Sequence, residues 1–120
     1  MVPLAPGYLV VDLMQDLNLP SLVVARPTLG TINHTLLTIQ AIHRRDIPLL
    51  GFVTSGHKEA KDEAAQTSPA LIEEFGEAEF LGHIPLYEPN KTSLEDFLEK
   101  KAPFLRRFVD QYLVTELVNP

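Results

Sequence analysis

Ser21-Leu22-Val23-Val24-Ala25-Arg26-Pro27-Thr28-Leu29-Gly30-Thr31-Ile32-Asn33-His34-Thr35-Leu36-Leu37 is the stretch whose reading decides the fold. Four apolar residues in succession, Leu22 to Ala25, suit a strand over Ser21–Arg26 that is buried on both faces, as in a parallel sheet. A short loop holding Gly30 follows, and then an amphipathic helix over Thr31–Arg45, with Ile32, Leu36, Ile39 and Ile42 or His43 on one side. The first-turn N–H groups of such a helix lack intrahelical acceptors and the helix dipole favours an anion beyond the strand end. The same residues also admit a plainer reading, in which Gly30 makes the turn and Thr31 or Asn33 caps the helix. At its far end His43, Arg44 and Arg45 oppose the negative pole of the helix.

Working outward, Met1 to Gly7 reads as a loop, with two prolines and a glycine before any periodic pattern. Tyr8 to Asn18 reads as a helix with Leu9, Leu13 and Leu17 on one face and Val10 and Met14 beside them, ended before Pro20. Pro48 opens a second strand through Thr54. Ser55 to Thr67 is polar, with alternating charges, and reads as a solvated loop or a frayed helix. Ser68-Pro69 then starts a helix, cap followed by proline, whose face is Ala70, Leu71, Ile72 and Phe75 and whose end is Gly76. Phe80 to Ile84 is the third strand and Pro85 to Lys91 a loop. Two overlapping capping boxes, Thr92 with Glu95 and Ser93 with Asp96, open a last helix. It should break near Pro103 and resume to about Val118, carrying an apolar stripe from Leu94, Phe97 and Leu98 through Phe104, Leu105 and Phe108 to Val109, Tyr112 and Leu113. The whole pattern predicts one α/β domain over residues 1–120, with three parallel strands, flanking helices and an open sheet edge that needs a cover. A missing first half, a second copy or another chain are the candidate covers.

Composition narrows the function classes. The chain has 120 residues, of which 45% are hydrophobic and 22% charged, which is ordinary for a globular protein. Its net charge of −6 argues against nucleic acid or a membrane surface as partner, since both favour a basic face. There is no cysteine, which excludes disulfides, thiolate catalysis and cysteine zinc sites. No signal pattern or long apolar run is evident, so a cytoplasmic location is expected. His34, His43, His57 and His83 lack metal-site spacing, and no serine has an evident matched base. In an open parallel sheet ligands sit beyond the strands' carboxyl ends, here Arg26–Thr28, Thr54–His57 and Ile84–Glu88.

Gly30-Thr31-Ile32-Asn33-His34-Thr35-Leu36-Leu37, preceded by Val23-Val24-Ala25-Arg26, resembles a segment in the second half of dethiobiotin synthetase, the ATP-dependent enzyme that closes the ureido ring in biotin synthesis. Val2-Pro3-Leu4, Gly51-Phe52-Val53 and Gly82-His83-Ile84-Pro85 fall in the family's order and near its spacing, so the likeness spans about residues 2 to 90. It implies a three-layer parallel sheet of the P-loop NTPase type, cut to about three strands, with Met1 corresponding to an internal position of the family. A shortened reading frame, a split gene and a deliberately cut chain all fit that correspondence.

The resemblance assigns Thr54, Ser55, Gly56, Pro85, Leu86 and Tyr87 to the adenine and ribose side of ATP. It assigns Pro3, Leu4, Gly30, Thr31, Ile32 and Asn33 to the substrate, with the helix start holding the carboxylate of 7,8-diaminononanoate across a homodimer boundary. In that reaction type one amine takes up carbon dioxide, ATP activates the product, and the second amine closes the ring. Two departures stand out. Ser55 occupies the place where the family commonly has an Asn, and a hydroxyl cannot supply an amide's donor and acceptor pair to one base edge. The loop G-x-x-x-x-G-K-[ST] is absent, so the ligands for phosphate and magnesium belong outside this chain. By this reading the chain alone is inactive and works with an N-terminal half. The alternative is a non-catalytic binding, regulatory or dimerisation module related to that enzyme.

Overall fold

The chain pairs two short strands before any helix forms. In the computed structural model, which describes residues 1–28, 30–56, 63–108 and 110, β1 (Pro3–Ala5) and β2 (Tyr8–Leu9) are antiparallel. This corrects the expectation of a plain loop over Met1–Gly7. Pro6 and Gly7 are the central residues of the tight turn, Gly7 at φ +70°, a conformation that glycine adopts without a steric penalty. Because Tyr8 and Leu9 are taken by the hairpin, helix α1 runs only from Val10 to Leu17. The carboxylate of Asp12 accepts the Leu9 N–H at 2.6 Å, and Asn18 ends the helix in the left-handed region.

The face of α1 differs in part from the expected one, keeping Leu9 and Met14 but not Leu13 and Leu17. Val11 is buried, with Leu9 and Met14 packed beside it, while Leu13 and Leu17 are exposed. A helix of eight residues offers about two turns, and the hairpin together with the Arg45–Asp12 ion pair fixes which side faces inward.

The main sheet has three parallel strands in the order β3 (Ser21–Ala25), β4 (Leu49–Ser55), β5 (Phe80–Ile84). Helix α2 (Thr31–Arg44) joins the first pair and α3 (Glu63–Gly76) the second, so each crossover carries a helix, as parallel pairing requires. Val23 and Phe52 are in register and meet Ile39, Ile42 and Ile72 from the two helices. Phe52 and Phe80 stack tilted at 5.2 Å between ring centres. Burying such a side chain contributes about 1.5–3 kcal/mol, so this cluster holds the first layer to the sheet.

Three expectations about the helices change. Helix α3 begins at Glu63, before Ser68, and Pro69 lies inside it. Of its expected face only Ile72 is fully buried; Ala70 and Leu71 are exposed and Phe75 is 64% exposed. Ser68, Ile72 and Gly76, spaced by four, form the face against α2 instead. A Cβ on Gly76 would lie 3.2 Å from Leu36 and 3.3 Å from Ile39, which shows how closely the two helices approach. His43 Nε2 donates to the Gly76 carbonyl at 3.1 Å and ties the helix ends together.

On the other face, α4 (Leu94–Lys101) is capped by Ser93 Oγ, which accepts the Asp96 N–H at 3.2 Å; Thr92 does not cap it. The chain breaks at Ala102, and Pro103 opens α5 (Pro103–Phe108). Phe97 is buried, Leu98, Phe104 and Leu105 are half-buried, and Leu94 is exposed, so the expected stripe is inward only in part. Its continuation through Val109, Tyr112 and Leu113 lies outside the described residues. So does the segment from His57 to Asp62.

The reading of the first strand as buried on both faces is also overturned. Val23 and Ala25 are buried, but Leu22 is 36% and Val24 62% exposed. Strand β3 is an edge strand, and Phe104 of α5 reaches Gly82 on β5, at the other side of the sheet.

Two outcomes follow from this packing. A Cβ at Gly82 would stand 2.5 Å from the Phe104 ring, at a backbone φ of +148°. Gly82→Ala is therefore expected to destabilise the fold by about 1–3 kcal/mol in urea denaturation, by displacing α5. The Leu9 N–H, with Arg45 beside it, holds the Asp12 carboxyl below the usual carboxylate range. A lowered folded value stabilises above the unfolded pKa and is lost as pH falls through the folded one. The melting temperature of Asp12→Asn should accordingly lie below wild type at neutral pH, and the two should converge on acidification below about pH 4.

Candidate functional site

The carboxyl ends of the three parallel strands form one rim, and most of the assigned residues stand on it. Strand β4 ends in Thr54 and Ser55, and β5 leads into Pro85, Leu86 and Tyr87. Parallel pairing puts Ser55 in register with Ile84, and the Gly56 N–H donates to the Ile84 carbonyl at 3.2 Å. The backbone thus brings the two stretches together, although they are about thirty residues apart in sequence.

Thr54 itself turns inward. It is buried, and its Oγ1 lies 2.8 Å from His83 Nδ1 in a hydrogen bond. That leaves Ser55 and Gly56, both half-buried, as the accessible part of this strand end. Beyond β5, Tyr87 stacks on Phe97 at 5.0 Å between ring centres, which fixes the loop against α4. Pro85 and Leu86 open onto a groove of about 300 Å³ that is also lined by Lys91, Lys100 and Lys101. Lys91 pairs with Glu88 at 2.7 Å, and this hydrogen bond raises its pKa, so the ammonium stays charged.

His83 and the three lysines are site neighbours that sequence reasoning missed. The lysines carried one signal: Lys100 and Lys101 close a capped helix whose start lies only a few residues after Pro85-Leu86. His83 carried none, because its partner Thr54 is distant in sequence.

The start of α2 is built differently. Gly30 is the N-cap residue at φ +86°, with no side-chain cap; neither Thr31 nor Asn33 serves as one. A Cβ at Gly30 would meet only His34, at 3.9 Å, so the backbone angle and not space selects glycine. The Thr31 N–H donates to the Thr28 carbonyl at 3.1 Å, and the Thr31 side chain is buried, 3.4 Å from Thr35 Oγ1. The expected cradle therefore loses its Thr31 amide. Ile32 packs against the core, while Gly30 and Asn33 are exposed. The Ile32 and Asn33 amides belong to the first turn, which has no intrahelical acceptors.

Pro3 and Leu4 do not meet this helix start within one chain. Their neighbours Met1 and Val2 line a groove with Thr38, Ala41 and Ile42, about 12 Å or more along α2 from Gly30. Among the described residues no three His, Asp or Glu side chains cluster as a metal site. Nor is any helix among them long and apolar enough to cross a membrane.

The family model described as an AAA domain matches residues 1–92. The ATP-dependent dethiobiotin synthetase of Bacillus cereus (strain AH820) is 39% identical over 104 residues, which cover 87% of this chain and 43% of the relative. The enzyme of the same name from Bacillus thuringiensis (strain Al Hakam) is 36% identical over 115 residues, 96% of this chain and 48% of the relative. The chain thus spans somewhat less than half the length of these curated relatives. The three-stranded parallel sheet with flanking helices is of the P-loop NTPase type that this match implies.

The helix start yields a direct test. Gly30→Ala should cost about 1–2 kcal/mol in denaturant unfolding, the usual penalty for a left-handed residue bearing a Cβ. Gly30→Asn should cost less.

Proposed function

The chain belongs to the AAA domain family and is homologous to ATP-dependent dethiobiotin synthetases over most of its own length, and from this premise we propose that it supplies the second-half functions of such an enzyme. These are the adenine edge of an ATP site and a carboxylate site for a diamino acid, in the service of ureido ring closure. The observation that carries the reading is the joining of Ser55–Gly56 to Ile84–Pro85 at the sheet rim, where nucleotide ligands of parallel α/β sheets sit.

The chain's own residues would work as follows. Ser55, Gly56 and the Pro85–Tyr87 loop flank the base and ribose, with the stack of Tyr87 on Phe97 keeping the loop in place. The adjoining groove is lined by Lys100, Lys101 and the Lys91–Glu88 ion pair, with Asp96 beside them. Exposed Gly30 and Asn33 with the first-turn amides of α2 take the substrate carboxylate, as a helix N-terminus does. ATP, when bound, supplies the activated phosphoryl group. Its phosphate and magnesium ligands come from the part of the family's length that this chain does not match.

A homodimer accounts for the remaining pair. Pro3 and Leu4 are separated from Gly30 within one chain, so one protomer's hairpin completes the helix start of its partner. A second reading, a non-catalytic binding or regulatory module, is favoured by Ser55, which cannot reproduce an amide's paired hydrogen bonds to adenine.

Calorimetry separates these readings. Binding of ATP or of 7,8-diaminononanoate supports the enzyme role, and binding of neither overturns it. Ser55→Asn is expected to tighten ATP about fivefold, one added hydrogen bond of about 1 kcal/mol, and to leave GTP unchanged.

A further inference from the structure

We propose that Arg45 is a positioning residue for the substrate carboxylate site: through Asp12 and Leu9 it holds the exposed strand Pro3–Ala5 in the arrangement that serves the helix start of a second protomer. The inference rests on the functional reading given above and adds to it a residue that the family likeness did not assign.

Burial does not fix β1. All three of its residues are exposed, Leu4 by 51%. The strand is held instead by β2, with Leu9 opposite Pro3 and Tyr8 opposite Ala5, and by the Val10 N–H, which donates to the Val2 carbonyl at 2.9 Å. Both residues of β2 are in turn tied to carboxylates of α1. The Tyr8 hydroxyl donates to Asp16 at 2.5 Å, and the Leu9 N–H donates to Asp12 Oδ2 at 2.6 Å.

Asp12 also reaches the body of the fold. Its other oxygen, Oδ1, accepts from Arg45 Nη1 at 2.5 Å, and the same nitrogen donates to Gln15 at 3.1 Å. Arg45 is the C-cap residue of α2 and lies 33 positions from Asp12 in sequence. A carboxylate with both oxygens engaged has its plane fixed, so Arg45 sets the direction in which Asp12 receives the Leu9 amide. A line of contacts thus runs from the end of α2 through Asp12 and Leu9 to Pro3.

The ion pair is partly open to solvent, with side chains 35% and 24% exposed, which keeps its weight small. A short two-stranded ribbon is itself marginal, however, and a small weight shifts it measurably. Arg45 stands far from the carboxylate site of its own chain. The 14 residues of α2 separate it from Gly30, about 21 Å at the rise of a helix. An effect of Arg45 on substrate binding has to be relayed, and the hairpin is the element to which its partner Asp12 is bonded.

The test is calorimetry of the full chain with 7,8-diaminononanoate and with ATP, together with amide exchange at Val10, whose N–H closes the hairpin on Val2. Arg45→Ala is expected to weaken binding of the diamino acid about threefold, the weight of one such ion pair, and to leave ATP unchanged. Exchange at Val10 should quicken by about the same factor. Arg45→Lys, which keeps the charge, should recover part of both losses. In an Asp12→Ala background, adding Arg45→Ala should change nothing further, because Arg45 acts through that carboxylate. Unchanged binding of the diamino acid, equal weakening of both ligands, unchanged exchange at Val10, or a full additional loss in the Asp12→Ala background overturns the proposal. A wild-type chain that binds no diamino acid overturns the functional reading. Faster exchange at Val10 in Arg45→Ala then still supports the tether on the hairpin, and unchanged exchange overturns that too.

Discussion

Strand β4 is paired on both edges and covered on both faces, and everything else in the molecule takes its place relative to it. Gly51 to Thr54 are buried, Phe52 and Val53 almost completely. Parallel pairing forces each connection to leave at one end of the sheet and return at the other, which is why α2 and α3 lie where they do. The same constraint gathers all strand ends carrying loops of chemical interest onto one rim. With β4 displaced, Val23, Ile39, Ile42, Phe80 and Ile72 would lose their common partner Phe52.

The two layers around that strand are built by different means. Between α2 and the sheet, Ile39 and Ile42 close on Val23 and Phe52, and α3 approaches α2 closely because Gly76 presents no side chain. On the opposite face one aromatic ring, Phe104, rests on the glycine of β5, while Phe97 and Tyr87 stack to hold the loop beyond it. The second arrangement links the groove lined by Lys91, Lys100 and Lys101 mechanically to the rim, since the loop Pro85–Tyr87 belongs to both. The first leaves β3 with a covered side and a bare one.

That imbalance bears on the proposed function. The rim presents the Ser55–Gly56 strand end, the Pro85–Tyr87 loop and the start of α2, and the sequence has no G-x-x-x-x-G-K-[ST] loop. Phosphoryl transfer depends on positioning and on neutralising charge around the transferred group. On the proposed reading, the rim would serve recognition of the reacting molecules and not the phosphoryl transfer itself.

Much of the architecture was legible in the residues alone: strand–helix alternation, the three strands, the cap at Ser93, the break before Pro103 and the family likeness around Gly30–Leu37. These depend on local propensity, on proline and glycine chemistry, or on short motifs, all of which act within a few residues. Other features depended on what lies across space. Pro6-Gly7 became a hairpin turn because Pro3–Ala5 found Tyr8–Leu9, and α1 then turned Val11 inward in place of Leu13 and Leu17. Thr54 was withdrawn from the rim by His83, a partner twenty-nine residues away. Thr31 lost its amide to the Thr28 carbonyl once the loop closed. Apolar sequence alone made β3 a strand fit for burial on both faces; only the order β3-β4-β5 decided that it would stand at the edge, because neighbours in a sheet are chosen by tertiary packing and not by the strand's own residues.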